Sequence, residues 1–172
     1  MKQKNNEDRD SNLFYGLDGQ NLISPFDTEI YLYEPKIRLG ILASGNGSNF
    51  EYIVKSIQNK KLNAIISILI VNNPNCLAIE KAIKYDIPYI IINHRDYDSR
   101  VEHDKIVMNK LEDLSVELVV MAGWMRIVGE ELINKFKNRL INIHPSLLPS
   151  FKGIDAIQQA IEHSVTITGC TV

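Results

Sequence analysis

At 172 residues the chain is long enough to bury a sizeable core, and 45% hydrophobic with 23% charged residues is an ordinary globular composition. A formal net charge of −2 leaves no basic footprint for nucleic acid or an anionic membrane surface. The longest apolar run, Ala64 to Val71, is too short to span a bilayer, and the polar N-terminus carries no secretory h-region, so a cytoplasmic protein is expected. Cys76 and Cys170 lie far apart with no metal-ligand spacing, which predicts two reduced thiols and no metal site.

Residues 1–36 are rich in Asn, Asp, Lys and Gln and show no sustained period. They read as a flexible polar extension, docked through Tyr31-Leu32-Tyr33 if at all. From Ile37 the pattern alternates. Ile37 to Ala43 predicts a first strand, and Asn49 to Asn59 a helix with Phe50, Ile53, Val54 and Ile57 on one face. A second strand over 65–71 ends at Asn72-Asn73-Pro74-Asn75, followed by a helix over 76–85 and a third strand over 88–92. Residues 100–114 predict a helix that turns Val101, Ile106, Val107 and Leu111 inward, and 117–121 a fourth strand. A helix over 129–136, a buried fifth strand over 140–143, a helix over 154–162 and a sixth strand beginning in 166–172 complete the series. Strands separated by helices specify an α/β fold: a doubly wound, mostly parallel sheet with helices on both faces. In such sheets ligands gather beyond the carboxyl ends of the strands.

Three segments fall at those ends. Ala43-Ser44-Gly45-Asn46-Gly47-Ser48-Asn49 joins the first strand to the first helix. Gly45 and Gly47 permit close backbone approach, Ser48 and Asn49 read as N-cap residues, and free N–H groups at a helix start suit a phosphate. A tight turn with a capped helix explains the segment almost as well. It contains neither GxGxxG nor Gly-Lys-Ser/Thr, which favours a phosphorylated small molecule over NAD or ATP. Met121 to Val128 follows the fourth strand, and its Trp124, Met125 and Ile127 beside Arg126 offer either a wall for a flat heterocycle or a loop folded into the core. In Leu140 to Pro149, Asn142 and His144 lie two residues apart and so face one side of an extended segment. An amide and an imidazole there can polarise a carbonyl and move a proton, the equipment of acyl or formyl transfer. His94, His103 and His163 lack such a setting and are expected on the surface.

Together, Ser44-Gly45-Asn46-Gly47-Ser48-Asn49, Tyr97-Asp98-Ser99-Arg100, Ala122 to Ile127 and Asn142-Ile143-His144-Pro145-Ser146-Leu147-Leu148-Pro149 resemble the phosphoribosylglycinamide (GAR) formyltransferases, a branch of the folate-dependent formyltransferases. The resemblance covers about Ile37 to Val172 and makes 37–172 a formyltransferase domain of Rossmann-like fold. It implies transfer of the formyl group of 10-formyltetrahydrofolate, as co-substrate, to the amine of GAR in purine synthesis. It assigns Gly47, Ser48 and Asn49 to the GAR phosphate. Arg100, Met125, Arg126, Ile127 and Val128 fall to the folate site, together with Asn142. His144 becomes the proton donor, stabilising an oxyanion with Asn142. The partners implied are these two small molecules, with no nucleic acid, no membrane and room for a homodimer. Family members continue into an Asp-x-Gly-Pro loop, further strand and last helix, with the aspartate paired to the histidine; Asp155 stands where a His is common. The domain is therefore expected to be C-terminally truncated and weakly active or inactive alone. The rival readings are a non-catalytic phosphoribosyl- or nucleotide-binding module and a methionyl-tRNA formyltransferase relative, the latter needing a basic face that the sequence lacks.

Overall fold

The computed structural model describes residues 36–172, so the polar extension and its Tyr31–Tyr33 segment lie outside the described residues. The elements run β1 (Ile37–Ala43), α1 (Ser48–Gln58), β2 (Ala64–Val71), α2 (Ala78–Lys84), β3 (Tyr89–Ile91), α3 (Arg100–Asp113), β4 (Leu118–Met121), α4 (Glu130–Lys135), β5 (Leu140–Asn142) and α5 (Ala156–Glu162). The strands form one sheet in the order β3-β2-β1-β4-β5, and every neighbouring pair is parallel. The chain winds outward from β1 to β3, returns to lay β4 against the other side of β1, and continues to β5. That reversal opens a crevice between the carboxyl ends of β1 and β4, where open α/β sheets hold their ligands.

Alternation along the central strands places a core on each face. Leu39, Ile41 and Ala43 of β1 meet Phe50 and Val54 of α1 and Ala78 and Ala82 of α2. Leu42, with Ile68 and Ile70 of β2, meets Val107 and Leu111 of α3 and Leu132 of α4. Phe50 is fully enclosed, a burial worth about 1.5–3 kcal/mol. On α1, Glu51 accepts hydrogen bonds from Tyr85 Oη at 2.8 Å and pairs with Lys81 at 2.8 Å and Lys55 at 3.0 Å. Lys81 first, then Lys55 and the Tyr85 hydroxyl, hold its carboxyl down from 4.5 to about 2. The cluster ties α1 to α2 behind the loop that follows β1. Among the described residues no helix is long and apolar enough to cross a membrane.

Several expectations are corrected. The fifth strand lies at one edge of the sheet, and Ile141 and Ile143 are each 40% exposed rather than buried. No sixth strand forms over 166–172; Thr171 alone makes an antiparallel bridge, to His144. The ladder stops because Ser146, next in register, turns its N–H back onto His144 O at 2.9 Å. Helix α3 turns His103, Asp104, Val107 and Leu111 inward, while Val101 and Ile106 face solvent. His103 is therefore a core residue: Nε2 donates to Ile92 O at 3.0 Å, and the ring lies between Tyr97 and Trp124.

Candidate active site

The loop after β1 is shaped by one glycine. Gly47 has φ +64°, and a Cβ there would stand 2.8 Å from the Cβ and 2.9 Å from the Cα of Ala78, the first residue of α2. Gly47 itself caps α1, with no side-chain hydrogen bond, so the expected capping by Ser48 and Asn49 is not what the structure shows. Those two are instead the first helical residues, exposed to solvent. Their N–H groups precede any intrahelical acceptor and stand at the positive end of the helix dipole.

The loop after β4 is fastened to this one through Ser44. Ser44 N donates to Gly123 O at 3.1 Å, and Ser44 Oγ accepts from Met125 N at 2.9 Å. Gly123 takes φ +82° to make the turn. Beyond it the side chains diverge. Trp124 is buried against His103, so it belongs to the core and not to a ligand wall. Met125 and Ile127 are 81% and 75% exposed. Arg126 is half-buried, and Val128 packs onto the α3–α4 core.

Asn142 ends β5 with its side chain exposed, and His144 follows, half-buried. Thr171 clamps this segment. The backbones of His144 and Thr171 exchange hydrogen bonds of 2.8 and 2.9 Å; Thr171 Oγ1 donates to Ser146 O at 2.8 Å and accepts from Leu148 N at 3.0 Å. The His144 Nε2–H donates to Phe151 O at 2.9 Å. A carbonyl oxygen can only accept, so the ring proton sits on Nε2, and a neutral His144 presents a lone pair at Nδ1. No carboxylate among the described residues pairs with His144, and no hydrogen bond joins it to Asn142.

Two cavities adjoin these segments. One, of about 210 Å³, runs between Asn49, Tyr52 and Ile53 of α1 and Met121, Ile141 and Asn142, so it brings Asn49 and Asn142 to one space. The other, of about 320 Å³, lies between Ser44, Asn72–Asn75, Asn93–Arg95, Met125 and Arg126. Arg100, Ile127, Val128, Gly47, Ser48 and His144 line neither. Arg100 opens α3 on the surface, where Ser99 Oγ caps the helix by accepting from Glu102 N at 3.1 Å. Sequence reading missed Thr171, a lone hydroxyl in an unremarkable segment, and the Asn72 to Asn75 wall, whose four-residue turn resembled plain strand termination.

The matches to known proteins cover this same region. Residues 37–172 match the family model described as formyl transferase. The human trifunctional purine biosynthetic protein adenosine-3 is 43% identical over 80% of the chain, which spans only 14% of that much longer protein. The phosphoribosylglycinamide formyltransferase of Bacillus subtilis is 37% identical over 78% of the chain, which spans 69% of its length. Among solved structures, phosphoribosylglycinamide formyltransferase from Bacillus halodurans superposes with a TM-score of 0.75 at 37% identity, covering 78% of this chain and 69% of that one. Glycinamide ribonucleotide transformylase 1 from Symbiobacterium toebii gives 0.78 at 34% identity, covering 83% and 68%. The parallel-sheet fold is thus shared with solved relatives, and the chain belongs to the formyl transferase family.

Proposed function

We propose that the crevice between β1, β4 and β5 transfers a formyl group from 10-formyltetrahydrofolate to the amine of GAR. The observation that carries this reading is the fastening of the loop after β1 to the loop after β4 through Ser44, with Asn49 and Asn142 meeting around one cavity. Gly47, Ser48 and Asn49 receive the GAR phosphate on N–H groups at the start of α1. Met125 and Ile127, standing free in solvent, and Arg126 form the wall against which the folate lies, with Arg100 reaching its anionic end and Val128 supporting the wall from the core.

The GAR amine attacks the formyl carbon, forming a C–N bond and an oxyanion. Collapse breaks the bond to the folate nitrogen, which takes up a proton as the amine loses one. Asn142 and His144 stabilise the oxyanion by hydrogen bonds that strengthen as charge develops. Because Nε2–H is committed to Phe151 O, His144 donates from Nδ1 in its doubly protonated form. The nucleophile is the substrate's own amine, so the reaction calls for no serine or cysteine nucleophile.

The test measures GAR and a non-transferable folate analogue binding by calorimetry, then formyl transfer under single-turnover conditions. Both ligands bind the parent chain, and His144→Ala retains binding while transfer falls about 10²–10⁴-fold. Failure of both ligands to bind, or transfer undiminished in His144→Ala, overturns the reading.

A further inference from the structure

The first turn of α3 buries two polar residues that the formyl-transfer reading leaves without a task. His103 is fully enclosed and Asp104 is 4% exposed. Asp104 Oδ1 lies 3.4 Å from His103 Nδ1, and its Oδ2 accepts from Gly129 N at 2.6 Å. His103 Nε2 is committed to Ile92 O at 3.0 Å. Among the described residues no Lys or Arg pairs with Asp104. A carboxylate and a ring nitrogen face each other in a dry core only with a proton between them. Such a buried pair often stabilises a fold no better than apolar side chains of the same size, so stability does not account for it.

Each of the two holds one end of the loop after β4. The His103 ring lies nearly parallel to the Trp124 indole, with centroids 6.0 Å apart and 18° between planes. Trp124 Nε1 is buried without a hydrogen-bond partner, so packing alone places that indole. At the other end, Asp104 fixes Gly129, the residue that caps α4. Between these ends the N–H groups of Arg126, Ile127 and Val128 make no hydrogen bond among the described residues. Only Met125 N is held, by Ser44 Oγ at 2.9 Å. The course of 126–128 is therefore set where the stretch begins and ends. Adjacent positions on one turn of α3 supply both anchors, so the two ends keep a fixed separation.

We propose that His103 and Asp104 are positioning residues for the folate wall, a role that rests on the assignment of Met125 to Val128 to the folate. Acting through Trp124 and Gly129, they hold that stretch in the shape the folate meets, and neither touches a ligand itself. Trp124 is the chain's one tryptophan, so its emission reports on the anchored loop without any ligand.

The test uses the full chain. Calorimetry reads affinity for GAR and for a non-transferable folate analogue, beside Trp124 emission and hydrogen exchange at Met125. His103→Gln keeps a donor for Ile92 O but offers Trp124 no ring, and Asp104→Ala releases Gly129. Each is expected to weaken the folate analogue about tenfold, shift the emission to longer wavelength and speed exchange, while GAR affinity stays within about twofold. Asp104→Asn restores the folate affinity, since its oxygen can accept from Gly129 N and its NH2 can donate to His103 Nδ1. Leu111→Ala, two turns along α3 and fully buried, is the control for lost stability and leaves folate affinity unchanged. Folate affinity unaltered in His103→Gln and Asp104→Ala overturns the proposal, as does an equal loss in Leu111→Ala or no restoration in Asp104→Asn. If Asp104→Ala fails to fold, His103→Gln decides alone. A parent chain that binds no folate analogue overturns the formyl-transfer reading instead; unaltered emission and exchange in the variants is then what overturns the anchoring.

Discussion

Replacing Gly47 by alanine tests whether the loop after β1 is built by backbone geometry. The new methyl must occupy a left-handed backbone at φ +64°, which costs an L-residue about 1–2 kcal/mol. It would also stand 2.8 Å from Ala78 Cβ and 2.9 Å from Ala78 Cα. Ala78 is fully buried at the start of α2 and is anchored by its N–H to Gly45 O at 3.2 Å, so no flexible side chain can swing away. Relief requires moving the loop or the helix, at a further cost of about 1–3 kcal/mol typical of overpacking. Together Gly47→Ala should lose about 2–5 kcal/mol, a melting temperature lower by roughly 10 °C for a chain of this size. Gly45→Ala is the control, because a Cβ at Gly45 meets nothing within 4 Å; it should stay within about 0.5 kcal/mol. Urea unfolding of both variants, read by circular dichroism, gives the comparison. A Gly47→Ala variant as stable as Gly45→Ala would refute the steric argument, and GAR affinity unaltered in Gly47→Ala would refute the loop's assignment to the phosphate.

Three further outcomes follow from contacts elsewhere. Glu51 is held at about 2 in the fold and returns to its ordinary 4.5 on unfolding, so its contribution is complete above 4.5 and is lost as pH falls toward 2; acid titration of stability should be shallower across that window in Glu51→Gln. Thr171→Val removes two hydrogen bonds from the segment carrying His144, and urea unfolding should show a loss of about 1–3 kcal/mol; hydrogen exchange should also speed up at Leu148. Asp104, 4% exposed, accepts from Gly129 N at 2.6 Å and lies 3.4 Å from His103 Nδ1. Asp104→Ala should cost about 2–4 kcal/mol in the same assay, and Asp104→Asn, which keeps an acceptor for Gly129, clearly less.

The parallel order of the sheet was legible because β1 and β2 are apolar on both faces and the helices between them repeat at 3.6 residues. Helix α3 was misread in part because its inward stripe, His103-Val107-Leu111 with Asp104, begins with polar residues that a hydrophobic period discounts. Its burial is satisfied by hydrogen bonds to Ile92 O and Gly129 N, partners contributed by the end of β3 and by the residue capping α4, which no local pattern reveals. The short apolar segment Leu140–Ile143 gives the same signature in a central or an outer strand, so only strand order exposes Ile141 and Ile143. At the site, the glycine loop and the Asn142–His144 pair were visible as residue types. The Thr171 clamp and the Asn72–His94 contact were not, since each joins residues more than twenty apart through a single hydroxyl or amide.

The fastening at Ser44 gives these separate segments a common consequence. Its N–H and Oγ hold Gly123 O and Met125 N, so the loop proposed for the phosphate and the loop proposed for the folate move as one body. Bimolecular formyl transfer gains most from holding amine and formyl carbon in a fixed relation, and that relation is set where the two loops join rather than at either ligand. Ser44→Ala leaves every ligand-facing group in place and removes only the acceptor for Met125 N. If mutual positioning is what the joint supplies, transfer should slow about tenfold or more while GAR affinity stays within about twofold, since one lost hydrogen bond leaves the phosphate loop intact but lets the folate wall drift. A variant that loses GAR affinity in step with its rate would place the role of Ser44 in the phosphate loop alone.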